Sequence, residues 1–314
     1  METLPPFRLA PYFRRRPWGF NDLAPWYDYK TDGEPIGEVW LTGEMCLVDT
    51  GPLRGVSLAD ATRQQRSVLL GTGLTGRDFP LLVKILLPKE KLSVQVHPDD
   101  ALARRYGEPR GKTECWYALD ARPGAQLALG IRAGVTVDQV KAAVHDASLE
   151  SLLHMVPVSK GDMIFVDAGT VHALGPGVVM LETQQTSDLT YRMYDYGSAR
   201  ELHLEKAFAA MKLTTRAGKV APRTVDGHTI LIDERYFRIE KWPVRAGAAS
   251  ALAAPAPVVQ MLFVTQGRIR IAGDNFEAFE VKRNQLAVIP SSTSPWTLAG
   301  DDTSEIIRIV PATD

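Results

Sequence analysis

The chain of 314 residues contains only two cysteines, Cys46 and Cys115. That excludes a disulfide framework and a four-cysteine zinc site, and it fits a reducing compartment. Neither sign of charge is in excess: 36 Lys and Arg stand against 37 Asp and Glu, for a net charge of −1. Nucleic-acid binders usually carry a basic footprint, so no nucleic-acid partner is expected. No apolar run approaches the ~18 residues of a membrane span, so no membrane association is expected either. The opening METLPPFRLAPYFRRRPWGF is basic but has no apolar core, so no secretory signal is expected and the protein is placed in the cytoplasm. The Ala/Pro-rich stretch from Ala246 to Val259 reads as a loop because of Pro255 and Pro257. Low-complexity tracts and short-period repeats are also missing.

The remaining composition is that of a soluble globular protein, 45% hydrophobic and 23% charged. The length suits one large domain or two ordinary ones. Its 25 glycines and 21 prolines punctuate short β-branched or aromatic runs, among them Pro80–Leu87, Leu92–Val96, Glu114–Leu119, Met163–Val166, Val178–Thr183 and Leu286–Ile289. Such spacing predicts β-sandwiches or barrels. Helices are expected at Ser57–Leu70, after Asp99 to Tyr106, from Thr136 toward Met155, and at Leu204–Lys212. The third begins with a capping box between Thr136 and Gln139. The segments Gly161–His172 and Arg283–Pro295 both read as turn, apolar strand and small-residue turn. They suggest two related β modules joined near Thr214–Val225.

Alternate residues of a strand face the same side. In KLSVQVHPDD that rule sets Ser93, Gln95 and His97 on one face. In GKTECWYALD it sets Lys112, Glu114 and Trp116 together and turns Cys115 away. In GDMIFVDAGTVHALG an apolar strand runs through a tight turn to His172. Gln95, His97, Glu114 and His172 together form a mixed nitrogen and oxygen set that suits one divalent first-row metal, zinc first, with manganese, iron or cobalt also possible. The bland alternatives are a solvated edge face for Gln95 and His97, an ion pair for Lys112 and Glu114, and a structural role for His172. His145, His154, His203 and His228 have no such company.

These strings resemble the cupin superfamily, with Gln95 in place of its first motif histidine and Asp167 in place of a proline. More specifically, LSVQVHPDD, GKTECWYALDA, GTVHALG and SDLTYRMYDY resemble the type I phosphomannose isomerase family, in its order, as do PWG at Pro17–Gly19 and GEVW at Gly37–Trp40. The resemblance implies a mainly β fold of two cupin-type jelly-roll modules with a few helices, one of them between the motif strands. It implies a catalytic module over 1–215, with a helical insertion near 136–155, and a degenerate module over 216–314 that holds no metal. It implies zinc at Gln95, His97, Glu114 and His172, and the interconversion of mannose 6-phosphate and fructose 6-phosphate through an enediol. Arg192 then matches the family's active-site arginine, and Lys84, Ser93 and Lys112 match positions linked to substrate.

The residues themselves leave choices open. Lys84 lies in an otherwise apolar run, as an edge-strand gatekeeper or as a charge aimed into a pocket. Lys84, Lys112 and Arg192 would together attract a phosphate. Asp188, Glu182 and Lys112 are candidates for the proton carrier, with Asp188 and Lys112 first and a metal-bound water as a further option. For Asp188 the alternative is a salt bridge to Arg192. The competing functions are a sugar-phosphate-binding cupin without turnover and a cupin oxygenase. The oxygenase is disfavoured because its iron usually takes a ligand set richer in histidine.

Overall fold

The structure is a computed structural model that describes residues 3–74, 76, 78–244, 257–293, 295–301 and 303–313. The fold is mainly β, with five short α-helices among the described residues: α1 (Leu58–Gln64), α2 (Arg66–Leu70), α3 (Asp100–Arg105), α4 (Val137–His145) and α5 (Leu204–Ala210). The predicted runs are strands, with Met163–Val166 and Leu286–Ile289 matching their expected limits. The loop expected at 246–259 lies mostly outside the described residues.

Two sheets build the first sandwich. A seven-stranded antiparallel sheet has at its centre the strands Glu114–Ala121, Val178–Gln185 and Leu81–Leu86. Its last two members on one side are Ile36–Trp40 and, at the edge, Tyr12–Phe20. A five-stranded sheet holds Val94–Val96, His172–Ala173 and, at its edge, Tyr191–Tyr194. Their facing sides share a core of Trp116, Ile164 and Met180 against Leu127 and Leu129. α4 and α5 cover the outside of the five-stranded sheet through Val140, Val144 and Ala207. This leaves the polar half of the gap between the two sheets for the site.

The other face of the first seven-stranded sheet carries Val83, Ile85, Cys115, Tyr117 and Leu181. It packs on Phe237, Ile239, Met261, Phe263 and Ile307 of a second seven-stranded sheet. That sheet is backed in turn by a three-stranded sheet through Ile269, Ile271 and Leu298. Two strands cross the line between residues 215 and 216: Phe7–Leu9 pairs with Leu286–Ile289, and Gly218–Val220 pairs with Met163–Val166.

The helices depart from expectation at their ends. Thr136 and Gln139 form the predicted capping box. α4 nevertheless stops at His145, because Ala147 takes a left-handed φ of 63° and turns the chain. The residues up to Met155 then form a 3-10 turn and a strand, Leu153–Pro157, which extends the five-stranded sheet. The predicted Ser57–Leu70 helix is two helices broken at Gln65.

Phe263 is wholly buried in the seam between the two seven-stranded sheets. Phe263→Ala is expected to lower unfolding free energy by roughly 3–5 kcal/mol in urea titration. A loss below about 1 kcal/mol would mean that the seam is not packed as described.

Candidate metal centre and cleft

The five-stranded sheet supplies Gln95 and His172, which stand opposite each other in register. His97 follows one residue beyond the end of the Gln95 strand. The seven-stranded sheet faces them with Glu114, Glu182 and Lys84, and Glu182 lies opposite Lys84. Lys112 sits just ahead of its strand and reaches the same point. All of these except Gln95 are buried.

The imidazoles are set by their hydrogen bonds. His97 Nδ1 donates to the Leu189 carbonyl at 2.6 Å, and His172 Nδ1 donates to the Thr170 carbonyl at 2.9 Å. A carbonyl only accepts, so each Nδ1 carries the proton and each Nε2 presents a lone pair. Both Nε2 atoms face the Glu114 carboxylate at 3.5 Å. Burial holds both rings neutral: His97 lies well below the usual range, with Lys112 adding to the effect, and His172 is lowered to about 4. Ligand atoms of His97, Glu114 and His172 lie within 4.8 Å of one another. Two neutral imidazoles with carbonyl-fixed tautomers and one carboxylate are the donor chemistry that a divalent first-row ion needs, so these residues fit a metal. Gln95 is turned differently. Its Nε2 lies 3.2 Å from His172 Nε2, and its oxygen accepts from Ser93 Oγ at 3.3 Å. As a ligand, Gln95 needs its amide turned over to offer oxygen.

The charges alternate. Lys112 Nζ lies 2.7 Å from Glu114 Oε2, 3.3 Å from Glu182 Oε1 and 3.1 Å from His97 Nε2. Burial opposes its charge, but Glu114 and Glu182 outweigh it and raise its pKa, so Lys112 is an ammonium. Glu182 is pushed up to about 7 by burial, against the pull of Lys112 and Lys84. Lys84 Nζ lies 3.5 Å from Glu182 Oε2, on a strand flanked on both sides. The gatekeeper alternative for Lys84 is therefore excluded. Beyond Lys84, the buried Glu38 accepts from Arg16 Nε and Nη2 at 2.8 and 3.1 Å and from Trp40 Nε1 at 2.8 Å.

A cleft of about 590 Å³ opens over these groups. Arg192 lines it, and its Nη1 donates to the Glu201 carbonyl at 3.4 Å. The Asp188–Arg192 pair named as an alternative does not form. Asp188 precedes the Tyr191–Tyr194 strand, so strand parity does not govern it, and its partner is Arg14 at 3.4 Å. Lining residues that strand parity did not reach include Arg14, Arg16, Glu38, Arg200, His203 and Lys206. Their only sequence signals were three consecutive arginines ahead of PWG and the glutamate of GEVW. His203 accepts the backbone N–H of Arg192 on Nδ1 at 3.2 Å and so braces the strand that carries it. Asp167 accepts from Thr170 Oγ1 at 2.9 Å and shapes the turn that delivers His172.

The comparisons agree with this geometry. A family model for the phosphomannose isomerase type I catalytic domain matches residues 7–131. A mannose-6-phosphate isomerase of Streptococcus mutans is 32% identical over 94% of this chain and 96% of its own length. The chain belongs to the type I mannose-6-phosphate isomerase family. A Bacillus subtilis member of the family is likewise 32% identical, over 95% of this chain and 97% of its own. The crystal structure of a Bacillus subtilis mannose 6-phosphate isomerase aligns with a TM-score of 0.85 at 30% identity, covering 98% of this chain and all of that one. The fold is thus the cupin-type one of the mannose-6-phosphate isomerases.

Cys115 follows Glu114 but faces the opposite core, as parity requires, and Cys46 is also buried and free. Burial raises both thiols, Cys46 to about 11. Ellman's reagent is therefore expected to find no reactive thiol in the native protein and both after denaturation. Fast native reaction of either would contradict their placement.

Proposed function

We propose that the protein is a metal-dependent aldose–ketose isomerase that interconverts mannose 6-phosphate and fructose 6-phosphate. One observation carries this reading: two buried, neutral imidazole lone pairs converge on Glu114, a carboxylate that lines a cleft with a cationic wall. The family membership and the names of the relatives support it.

Zinc, one ion per chain, is the proposed cofactor, held by His97, Glu114 and His172 with Gln95 as the fourth ligand. When bound, it supplies Lewis acidity beside the sugar oxygens. The isomerisation moves a proton from carbon 2 to carbon 1 through an enediol. The carbonyl oxygen at carbon 1 gains a proton and the hydroxyl at carbon 2 loses one. Glu182 is the proposed proton carrier, because it is a buried carboxylate at the cleft floor between two ammonium groups. Lys112, held as an ammonium, donates to the substrate oxygen that gains charge. Arg192 faces the same charge from the other sheet. Asp188, half exposed and paired with Arg14, ranks below Glu182. Lys84 and Ser93 hold sugar oxygens at the floor, and the phosphate lies outward among the rim cations.

We also propose that residues 1–215 form the catalytic module and residues 216–314 the supporting one. No helix among the described residues is long and apolar enough to cross a membrane. A soluble sugar phosphate as substrate fits a cytoplasmic site of action. A binding protein without turnover would have no use for a buried Lys112–Glu182 pair lining the same cleft as Arg192.

The test is conversion of mannose 6-phosphate by the purified protein as isolated, after chelation, and after zinc is returned. Activity is expected to vanish and come back. No turnover by the zinc-loaded protein would favour the binding-protein reading. His97→Ala is expected to lose bound zinc and activity together. Arg192→Ala should keep the zinc and lose roughly 10²–10³ in kcat. Glu182→Gln should lose roughly 10²–10⁴. Full activity in either of the last two would refute that residue's role.

A further inference from the structure

Arg16 and Glu38 have no role in the proposed chemistry, yet the fold builds them with care. Tyr12–Phe20 is an edge strand, and its pairing with Ile36–Trp40 slips register between Arg14 and Arg15. The slip leaves Gly37 as the extra residue on the partner strand, and the arginines keep the alternation of a strand. Here Arg15 turns outward to Asp32 and Glu34, while Arg14 and Arg16 turn toward the cleft side. Gly37 makes room for this. A Cβ there would lie 2.7 Å from Arg16 Cβ and 2.5 Å from the Trp18 ring. Glu38 then grips Arg16 with both oxygens and is itself fixed by Trp40 Nε1.

We propose that Glu38 is a positioning residue that holds Arg16 as a preset grip for the substrate's phosphate, on the sheet opposite Arg192. A guanidinium free to move would lose rotamer freedom on capturing an anion. One already held along Nε and Nη2 has lost it on folding. Among the described residues its Nη1 hydrogen-bonds only to the Arg15 carbonyl, at 3.5 Å, and stays available. Burial opposes the Glu38 charge, but Lys84 and Arg16 outweigh it and lower its pKa to about 2, so the grip persists across the working pH range. The inference rests on the sugar-phosphate reading of the cleft.

The proposal and simple charge counting predict opposite signs. Removing a carboxylate from an anion-binding cleft should tighten anion binding by Coulomb's law. Loss of a positioning carboxylate should weaken it. The experiment measures inorganic phosphate binding to the zinc-loaded full chain by calorimetry, together with kcat and KM for mannose 6-phosphate, for the wild type, Glu38→Gln and Arg16→Lys. Arg16→Lys keeps the charge at a partly exposed site but cannot make the two-pronged contact. Both variants are expected to bind phosphate about tenfold more weakly, with KM raised by a similar factor and kcat within about threefold of wild type. Phosphate bound as tightly as in wild type, or tighter, in either variant overturns the proposal. So does a fall in kcat at unchanged KM. A wild type that binds phosphate and depends on Glu38 to do so, yet turns over no sugar phosphate, would uphold the grip and refute the isomerase reading.

Discussion

Charges of alternating sign run across five neighbouring strands, and the rest of the site depends on that alternation. Arg16, Glu38, Lys84, Glu182, Lys112 and Glu114 follow one another along the inner face of the seven-stranded sheet. A lone buried ion costs several kcal/mol, and stripping one partner from a buried pair typically costs about 3–5 kcal/mol. No member of the series can therefore be removed without exposing its neighbour. The series holds three basic and three acidic side chains, and burial leaves Glu182, pushed up to about 7, poised between its two protonation states. The proposed metal centre lies at one end of the series and the proposed phosphate grip at the other.

Such a polar interior needs apolar support on every other side. The sheet that carries the charges has its opposite face sealed by the second seven-stranded sheet, and the far half of its inner face is filled by Trp116, Ile164 and Met180. The alternation of strand residues makes this possible at single-residue resolution. Glu114 points to His97 and His172, Cys115 to the seam, Trp116 back to the cleft wall and Tyr117 to the seam again. The backbone delivers the remaining groups. The Leu189 and Thr170 carbonyls decide which imidazole nitrogens are free, and Asp167 shapes the turn that aims His172.

Gln95, His97, Glu114 and the charged strand faces were legible in the sequence because they obey a period of two, which a linear string displays directly, whereas His172 was read from the turn that follows its strand. Glu114 and Lys112, or Val178, Met180 and Glu182, need no knowledge of the fold to be set on one side. What parity could not reach was set by irregular backbone. Asp188 lies in the loop ahead of its strand, so its partner proved to be Arg14, 174 residues away in sequence. Arg14 and Arg16 do alternate with Arg15, but the run FRRRPWG was not read as a strand, so parity was never applied to it. The over-long helix toward Met155 failed, like Asp188, at irregular backbone. The capping box marks its start strongly, but a left-handed Ala147 ends it without glycine or proline as a warning. Family resemblance located Arg192, but its brace by His203 is visible only once the chain has folded back.

The account turns on where a metal sits, and anomalous diffraction at the zinc edge from crystals of the zinc-loaded protein tests that most directly. The predicted result is one strong peak per chain among His97 Nε2, His172 Nε2 and the Glu114 carboxylate, with the Gln95 amide turned so that its oxygen faces the ion. A peak elsewhere, or none at this point in crystals of protein that isomerises its substrate, would contradict the account.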